Sequence, residues 1–258
     1  MNKNSEIVLH VEDLGVSFGG LEAIAKIDIS VARGEFIAIL GPSGCGKSTL
    51  LNVLSGLLPP TRGTVSVEGR PMYRPESEAP HVGYVFQEHR LLPWRTVKQN
   101  LELVLASSKV PQDRWDDNID NILETLHISR YKDSWPLRLS GGERQRVSIA
   151  RALLVEPAYV MMDEPFSTLD ELTARTLRQE LIEIWQRTGT TIVFVTHSIR
   201  EATFLADRIV ILTRGPALVD DSYTVPIDRP RTYEDPRIGQ IEAEIVERVL
   251  SVWEPEKK

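Results

Sequence analysis

Four short apolar runs punctuate the chain without the polar alternation of a half-exposed strand. They are Phe36-Ile37-Ala38-Ile39-Leu40, Val82-Gly83-Tyr84-Val85-Phe86, Tyr159-Val160-Met161-Met162 and Ile192-Val193-Phe194-Val195. Runs of this length predict strands buried from both sides, as in a parallel sheet. Helix-prone segments alternate with them, which predicts an α/β core. The first 35 residues and residues 64–68 do alternate and are bounded by Gly and Pro, predicting an antiparallel β portion beside that core. From about 88 to 156 the strand signal disappears. Ile119, Ile122, Leu123 and Leu126 share one helical face over 116–126, and 143–154 is helix-prone after two glycines, so an inserted helical subdomain is expected there. A further strand is expected over 208–213. Residues 226–236 are rich in Pro and charge, and Ile238, Ile241, Ile245, Val249 and Val252 then form a helical stripe. The expected organisation is one domain over 1–225, with the helical subdomain inserted at about 88–156. A tail over 226–258 follows, comprising a linker and an amphipathic helix docked on that domain.

Composition excludes more than it assigns. The 258 residues include 30 Lys plus Arg, 37 Asp plus Glu and one cysteine, with a formal net charge of −7. One cysteine cannot close an intramolecular disulfide or build a multi-thiolate metal site, which removes disulfide scaffolds and most zinc modules. No apolar run reaches the roughly 20 residues of a membrane helix. The opening residues, MNKNSEIVLHVED, lack the apolar segment of a secretory signal, so none is expected. Any action at a membrane then requires a partner. The acidic balance argues against nucleic acid as the main ligand, although a local basic pocket escapes such a count.

Chemistry concentrates in three places. Directly after the run 36–40 comes Gly41-Pro42-Ser43-Gly44-Cys45-Gly46-Lys47-Ser48-Thr49, followed by helix-prone residues. This matches G-x-x-x-x-G-K-[ST], a phosphate loop in its strand-to-helix setting. The glycines let backbone N–H groups turn around an anion, the helix N-terminus adds its positive end, Lys47 reaches the terminal phosphates, and Ser48 offers a hydroxyl to Mg²⁺. Cys45 reads as a small filler, not a nucleophile. Asp163 and Glu164 follow the run 159–162, where in phosphate-loop proteins one acid supports the magnesium shell and a neighbour orients or deprotonates water. Adjacent carboxylates repel, so the pair requires a cation nearby. In Leu139-Ser140-Gly141-Gly142-Glu143-Arg144-Gln145-Arg146, Ser140 and two glycines precede a helix. This is either an ordinary helix cap or a second anion-ready N-terminus, and the latter would let two copies of the chain hold one nucleotide between them.

Taken in order over about residues 8–213, these motifs resemble the nucleotide-binding subunit of ATP-binding cassette (ABC) transporters. Leu139 to Arg146 resembles the family signature, Gln87 the Q-loop glutamine, Ser167-Thr168-Leu169-Asp170 the D-loop, and Thr196-His197 the H-loop. The resemblance implies a P-loop NTPase fold, with a RecA-like parallel sheet core, an antiparallel β subdomain and an inserted helical subdomain. It implies ATP and Mg²⁺ as ligands and ATP hydrolysis to ADP and phosphate. Phe18 would stack on adenine. Lys47 and the amides of 41–49 would hold the β- and γ-phosphates, and Ser48 and Gln87 would bind Mg²⁺ with Asp163 supporting its shell. Glu164 would act as general base or water-orienter, and His197 would touch the γ-phosphate. Ser140, Gly141, Gly142 and Glu143 would act on the nucleotide of a second copy, in a head-to-tail dimer. No role falls to His10, His81, His89 or His127. Phe18 replaces the family's usual tyrosine, Thr168 a frequent alanine, and Glu143 the usual glutamine, whose charge would be unfavourable near phosphate.

The stretch 87–97, with Leu91, Leu92, Pro93 and Trp94, resembles the nitrate, sulfonate, taurine and bicarbonate importer ATPases. That implies uptake of a small anionic solute through two separate integral-membrane permease subunits, served by an extracytoplasmic solute-binding protein. The chain would be peripheral on the cytoplasmic face of the membrane. ATPases importing thiamine or riboflavin precursors look much alike, and a DNA-acting ABC ATPase, which usually carries a long coiled coil, is the more distant alternative. Leu91, Leu92 and Trp94 would receive a permease helix or fill the subdomain's own core, with Trp94 the better interface residue.

Overall fold

The computed structural model describes residues 6–73 and 80–253. Residues 1–5, where the reading of no secretory signal begins, and 254–258, the end of the expected tail, lie outside the described residues. Up to residue 73 the chain forms β1 (Ile7–Phe18), β2 (Leu21–Ala32), β3 (Phe36–Leu40), α1 (Lys47–Leu54), β4 (Arg62–Val67) and β5 (Arg70–Pro71). Residues 80–190 form β6 (Val82–Val85), α2 (Val97–Leu105), α3 (Trp115–Thr125), α4 (Gly141–Leu153), β7 (Tyr159–Asp163) and α5 (Glu171–Thr188). The return adds β8 (Ile192–Thr196), α6 (Ile199–Leu205), β9 (Arg208–Leu212), β10 (Ala217–Thr224) and α7 (Pro236–Trp253). Two compact units result, one from residues 1–79 with 191–258 and the other from 80–190.

In the first unit the strands run in the order β5-β4-β1-β2-β10-β9-β3-β8. β3 pairs in parallel with β8 and with β9, and every residue of β3 and β8 is buried, as their unbroken apolar runs predict. β1 pairs antiparallel with β2 and β4, giving the expected antiparallel portion. β10 joins the two parts, antiparallel to β9 and parallel to β2 at Ala217 and Leu218. No strand is legible there from sequence. Asp220 and Asp221 interrupt the apolar pattern, and the ladder slips by one residue between Val219 and Asp221.

α7 buries Ile238, Ile241, Ile245 and Val249 of the predicted stripe, leaves Val252 half buried, and packs against α6. Trp253 Nε1 donates to the Leu212 carbonyl at 2.8 Å, and Arg248 pairs with Asp220 at 2.8 Å. Between α6 and α7, buried Arg231 donates Nη1 to the carbonyls of Thr203, Phe204 and Ala206, and Nε to that of Ile227. The guanidinium thereby satisfies the exposed carbonyl end of α6.

The second unit packs α2, α3, α4 and α5 with the parallel pair β6–β7, registered Val82 to Tyr159 and Val85 to Met162. The helical stretch expected over about 88–156 lies inside this unit. Ile119, Leu123 and Leu126 are fully buried and Ile122 half buried, so α3 starts and stops within one residue of its sequence-based bounds. Gly83 is needed for close approach, because a β-carbon there would lie 2.4 Å from the Ala152 carbonyl oxygen of α4.

Candidate functional site

In the first unit, two motifs leave the sheet at one edge. Leu40, which precedes Gly41, registers with Thr196, which precedes His197. The phosphate loop and the H-loop therefore emerge from the carboxyl ends of adjacent parallel strands, where α/β sheets bind ligands. Gly44 and Gly46 take left-handed φ of 77° and 110°, the conformation that turns loop amides inward. A β-carbon on Gly46 would lie 2.8 Å from the Ala23 carbonyl oxygen, so only glycine fits against β2. Lys47 opens α1 and is buried, its Nζ donating to the Gly41 and Pro42 carbonyls at 2.7 and 2.8 Å. The charge is thus held within the loop, while Ser43, Gly44 and Ser48 are exposed on its surface and Thr49 is half buried. Cys45 is buried, and burial pushes its thiol above the usual range, as suits a filler. A β-carbon on Gly41 would come within 2.7 Å of its sulfur.

Phe18 ends β1 half exposed at the β1–β2 hairpin. His197 is exposed beyond β8, and the turn after it is fixed by Thr196, whose Oγ1 donates to Glu201 at 2.8 Å and accepts from the Ser198 N–H.

The second unit repeats the edge arrangement. Val85 registers with Met162, so Gln87 and the acid pair Asp163-Glu164 leave β6 and β7 at the same end. Gln87 Nε2 lies 3.4 Å from Ser167 Oγ, which donates to the Glu164 carbonyl at 2.9 Å. Q-loop and D-loop are thereby linked around the acids. Glu164 has φ 44°, a left-handed conformation that costs a non-glycine residue on the order of 1–3 kcal/mol and gathers at functional sites. Tyr84 on β6 is pushed up by burial and by the Asp163 carboxylate, placing that charge beside it.

Ser140 caps α4 through a reciprocal box. Its Oγ accepts from the Glu143 N–H at 3.3 Å, and Glu143 Oε2 accepts from the Ser140 N–H at 2.7 Å. The hydroxyl proton of Ser140 is left out of that box. Burial opposes ionisation of Glu143, but Tyr131 and the Ser140 amide hold its carboxyl below the usual range, with Arg130 at 3.8 Å. The charge that looked unfavourable in the sequence is therefore spent locally on the helix cap. Gly142 is packed so that a β-carbon would lie 2.7 Å from Thr173 Cγ2 of α5.

Asn100 is a residue the sequence did not single out. Almost fully buried on α2, its Nδ2 donates to the Leu92, Arg95 and Thr96 carbonyls, and its Oδ1 accepts from the Leu92 N–H. It holds the turn that presents Trp94, which is 67% exposed, while Leu91 and Leu92 are half buried. A cleft of about 950 Å³ in this unit, lined by Glu124, His127, Glu180 and Arg187 among others, holds none of the motif residues.

Comparison with known proteins agrees with these motifs. The family model described as ABC transporter matches residues 24–167. The nitrate import ATP-binding protein NrtD of Synechococcus elongatus is 40% identical over 250 residues, covering 93% of this chain and 90% of that protein. The aliphatic sulfonates import ATP-binding protein SsuB of Bacillus subtilis is 39% identical over 233 residues, covering 90% and 87%. A solved dimeric, post-hydrolysis structure of the ATP-binding cassette MJ0796 with ADP and Pi superposes with a TM-score of 0.74 at 29% identity, over 85% of this chain and 100% of that one. The fold is accordingly the α/β fold of P-loop NTPases, and the chain belongs to the ABC transporter family, among its ATP-binding members.

Proposed function

We propose that this chain is the ATP-hydrolysing subunit of an importer for a small anionic solute of the nitrate or sulfonate class. The observation that carries the reading is similarity to a nitrate import protein over 93% of this chain and 90% of that relative. Lys47 and the backbone N–H groups of the loop residues Gly41, Ser43, Gly44, Cys45, Gly46, Ser48 and Thr49 hold the phosphates, Pro42 contributes the carbonyl that seats Lys47, and Phe18 stacks on adenine. The Ser48 hydroxyl, the Gln87 amide oxygen and the Asp163 carboxylate are hard oxygen donors, a set that suits Mg²⁺. Bound there, the ion would neutralise charge on the β- and γ-phosphate oxygens. Glu164 orients the attacking water or takes its proton, and His197 contacts the γ-phosphate. Catalysis is positioning and electrostatic stabilisation of a loose phosphoryl transition state.

Ser140, Gly141 and Gly142, with Glu143 as their cap, serve the nucleotide of a second copy in a head-to-tail dimer. The dimeric state of the similar cassette supports this. The Ser140 Oγ accepts from its own helix, so its O–H remains able to donate to phosphate. Among the described residues no helix is long and apolar enough to cross a membrane. The membrane path is supplied by two permease subunits, with Trp94 a contact to them, and the cargo by an extracytoplasmic solute-binding protein. The chain works as a peripheral subunit on the cytoplasmic face, with no nucleic-acid partner.

Affinity purification of the full chain from its native membranes tests the reading. Integral-membrane permease chains should co-purify, and uptake of labelled nitrate or alkanesulfonate should be lost in Lys47→Ala. Recovery of duplex DNA instead, or of a soluble partner without ATP turnover, would sink it.

A further inference from the structure

The segment between Gln87 and Trp94 is tied to α4 at two distant points. His89, half buried, brings Nε2 to 3.1 Å from the carbonyl of Gly141, the first residue of α4 and the neighbour of Ser140. A carbonyl only accepts, so the ring nitrogen donates. From the last turn of the same helix Arg151 donates Nη2 to the His89 carbonyl at 3.0 Å and Nη1 to the Arg90 carbonyl at 2.8 Å. Arg90 is held in a left-handed conformation, φ 47°, with its guanidinium 4.1 Å from the centre of the Phe86 ring. Gly141 and Arg151 stand ten residues apart, about 15 Å along a helix. One attachment would be a pivot, whereas two so widely spaced fix both the position and the rotation of the segment against α4.

We infer that His89 is a positioning residue that sets the N-terminus of the signature helix. Through it Ser140, Gly141 and Gly142 move as one body with the segment that leads to Trp94. Any partner that shifts this segment shifts the signature with it, and closure of the signature on a nucleotide moves the segment in return. His89 touches no reacting atom. Its ring acts only through the Gly141 carbonyl, and Arg151 secures the other end. The inference rests on the reading that Ser140 to Gly142 serve a nucleotide bridged between two copies. Without the His89 bond the N-terminus of α4 has to be ordered when it closes on a nucleotide, a cost comparable to one hydrogen bond, which should weaken the bridged state by roughly 3- to 10-fold.

The test uses the full chain in the Glu164→Gln background, with ATP-driven dimerisation followed by sedimentation and ADP affinity measured separately. ADP affinity reports the phosphate loop and Phe18 without requiring a second copy. His89→Ala should weaken ATP-driven dimerisation by roughly 3- to 10-fold, leave ADP affinity unchanged and lower the melting temperature by no more than a few degrees, about the worth of one hydrogen bond. His89→Gln, whose amide can donate to the same carbonyl, should restore dimerisation. Dimerisation by His89→Ala equal to the parent would overturn the inference alone. Joint loss of dimerisation, ADP affinity and melting temperature, not rescued by Gln, would reduce His89 to a packing residue and overturn it as well. A Glu164→Gln parent that never dimerises with ATP would remove the bridged-nucleotide reading and the inference with it.

Discussion

Lys47 and Glu164 carry opposite charges in differently strained settings. Lys47 rests on two carbonyls inside a glycine-built loop, whereas Glu164 sits at φ 44°, where the backbone costs free energy unless its neighbours hold it. If Glu164 manages the proton of the attacking water, Glu164→Gln should keep ATP affinity within about 3-fold and lower turnover by roughly 10²–10⁴-fold, the usual worth of a general base. Single-turnover hydrolysis with parallel nucleotide binding checks this, and near-normal turnover would remove Glu164 from the role. These two residues were legible because each belongs to a contiguous motif. Asn100 and the role of His89 were not. Glu143 reads as an unfavourable charge when taken only for its place in the signature, although its Ser140-x-x-Glu143 spacing is that of a capping box; only Tyr131 lies outside the local pattern. Asn100 and His89 act on backbone carbonyls up to 52 residues away, which no spacing rule reports.

Elements buried on both faces were the easiest to read. β3, β7 and β8 appear as uninterrupted apolar runs, and α3 and α7 as stripes, because burial leaves only one class of residue tolerable at those positions. β10 escaped because its register contains a bulge and two aspartates, both of which pair with Arg248 of α7. The junction of α6 and α7 depends on Arg231, whose side chain is charged yet buried. Burial, with Arg229 nearby, lowers its guanidinium to about 10, still protonated at neutral pH. Arg231→Met should strand the carbonyl end of α6 and destabilise the chain by about 2–3 kcal/mol, with faster amide exchange in α6 and α7. Urea unfolding with hydrogen exchange measures both. A loss below about 0.5 kcal/mol would mean that water or relaxed backbone replaces the guanidinium.

Across the whole molecule, the formal charge of −7 gives no hint of an anionic ligand, yet positive character is focused at Lys47 and at the N-termini of α1 and α4. Among the described residues no helix is long and apolar enough to cross a membrane. Solute class is not written in these motifs, since the proposed cargo passes through the permease and touches no residue of this chain. The central claim is that the phosphate loop of this chain drives ATP hydrolysis. Phosphate release from ATP by the full chain in Mg²⁺, compared with Lys47→Ala at equal concentration, tests it most directly. The account predicts turnover by the native chain and a loss of at least about 100-fold in the variant, and equal rates from the two proteins would contradict it.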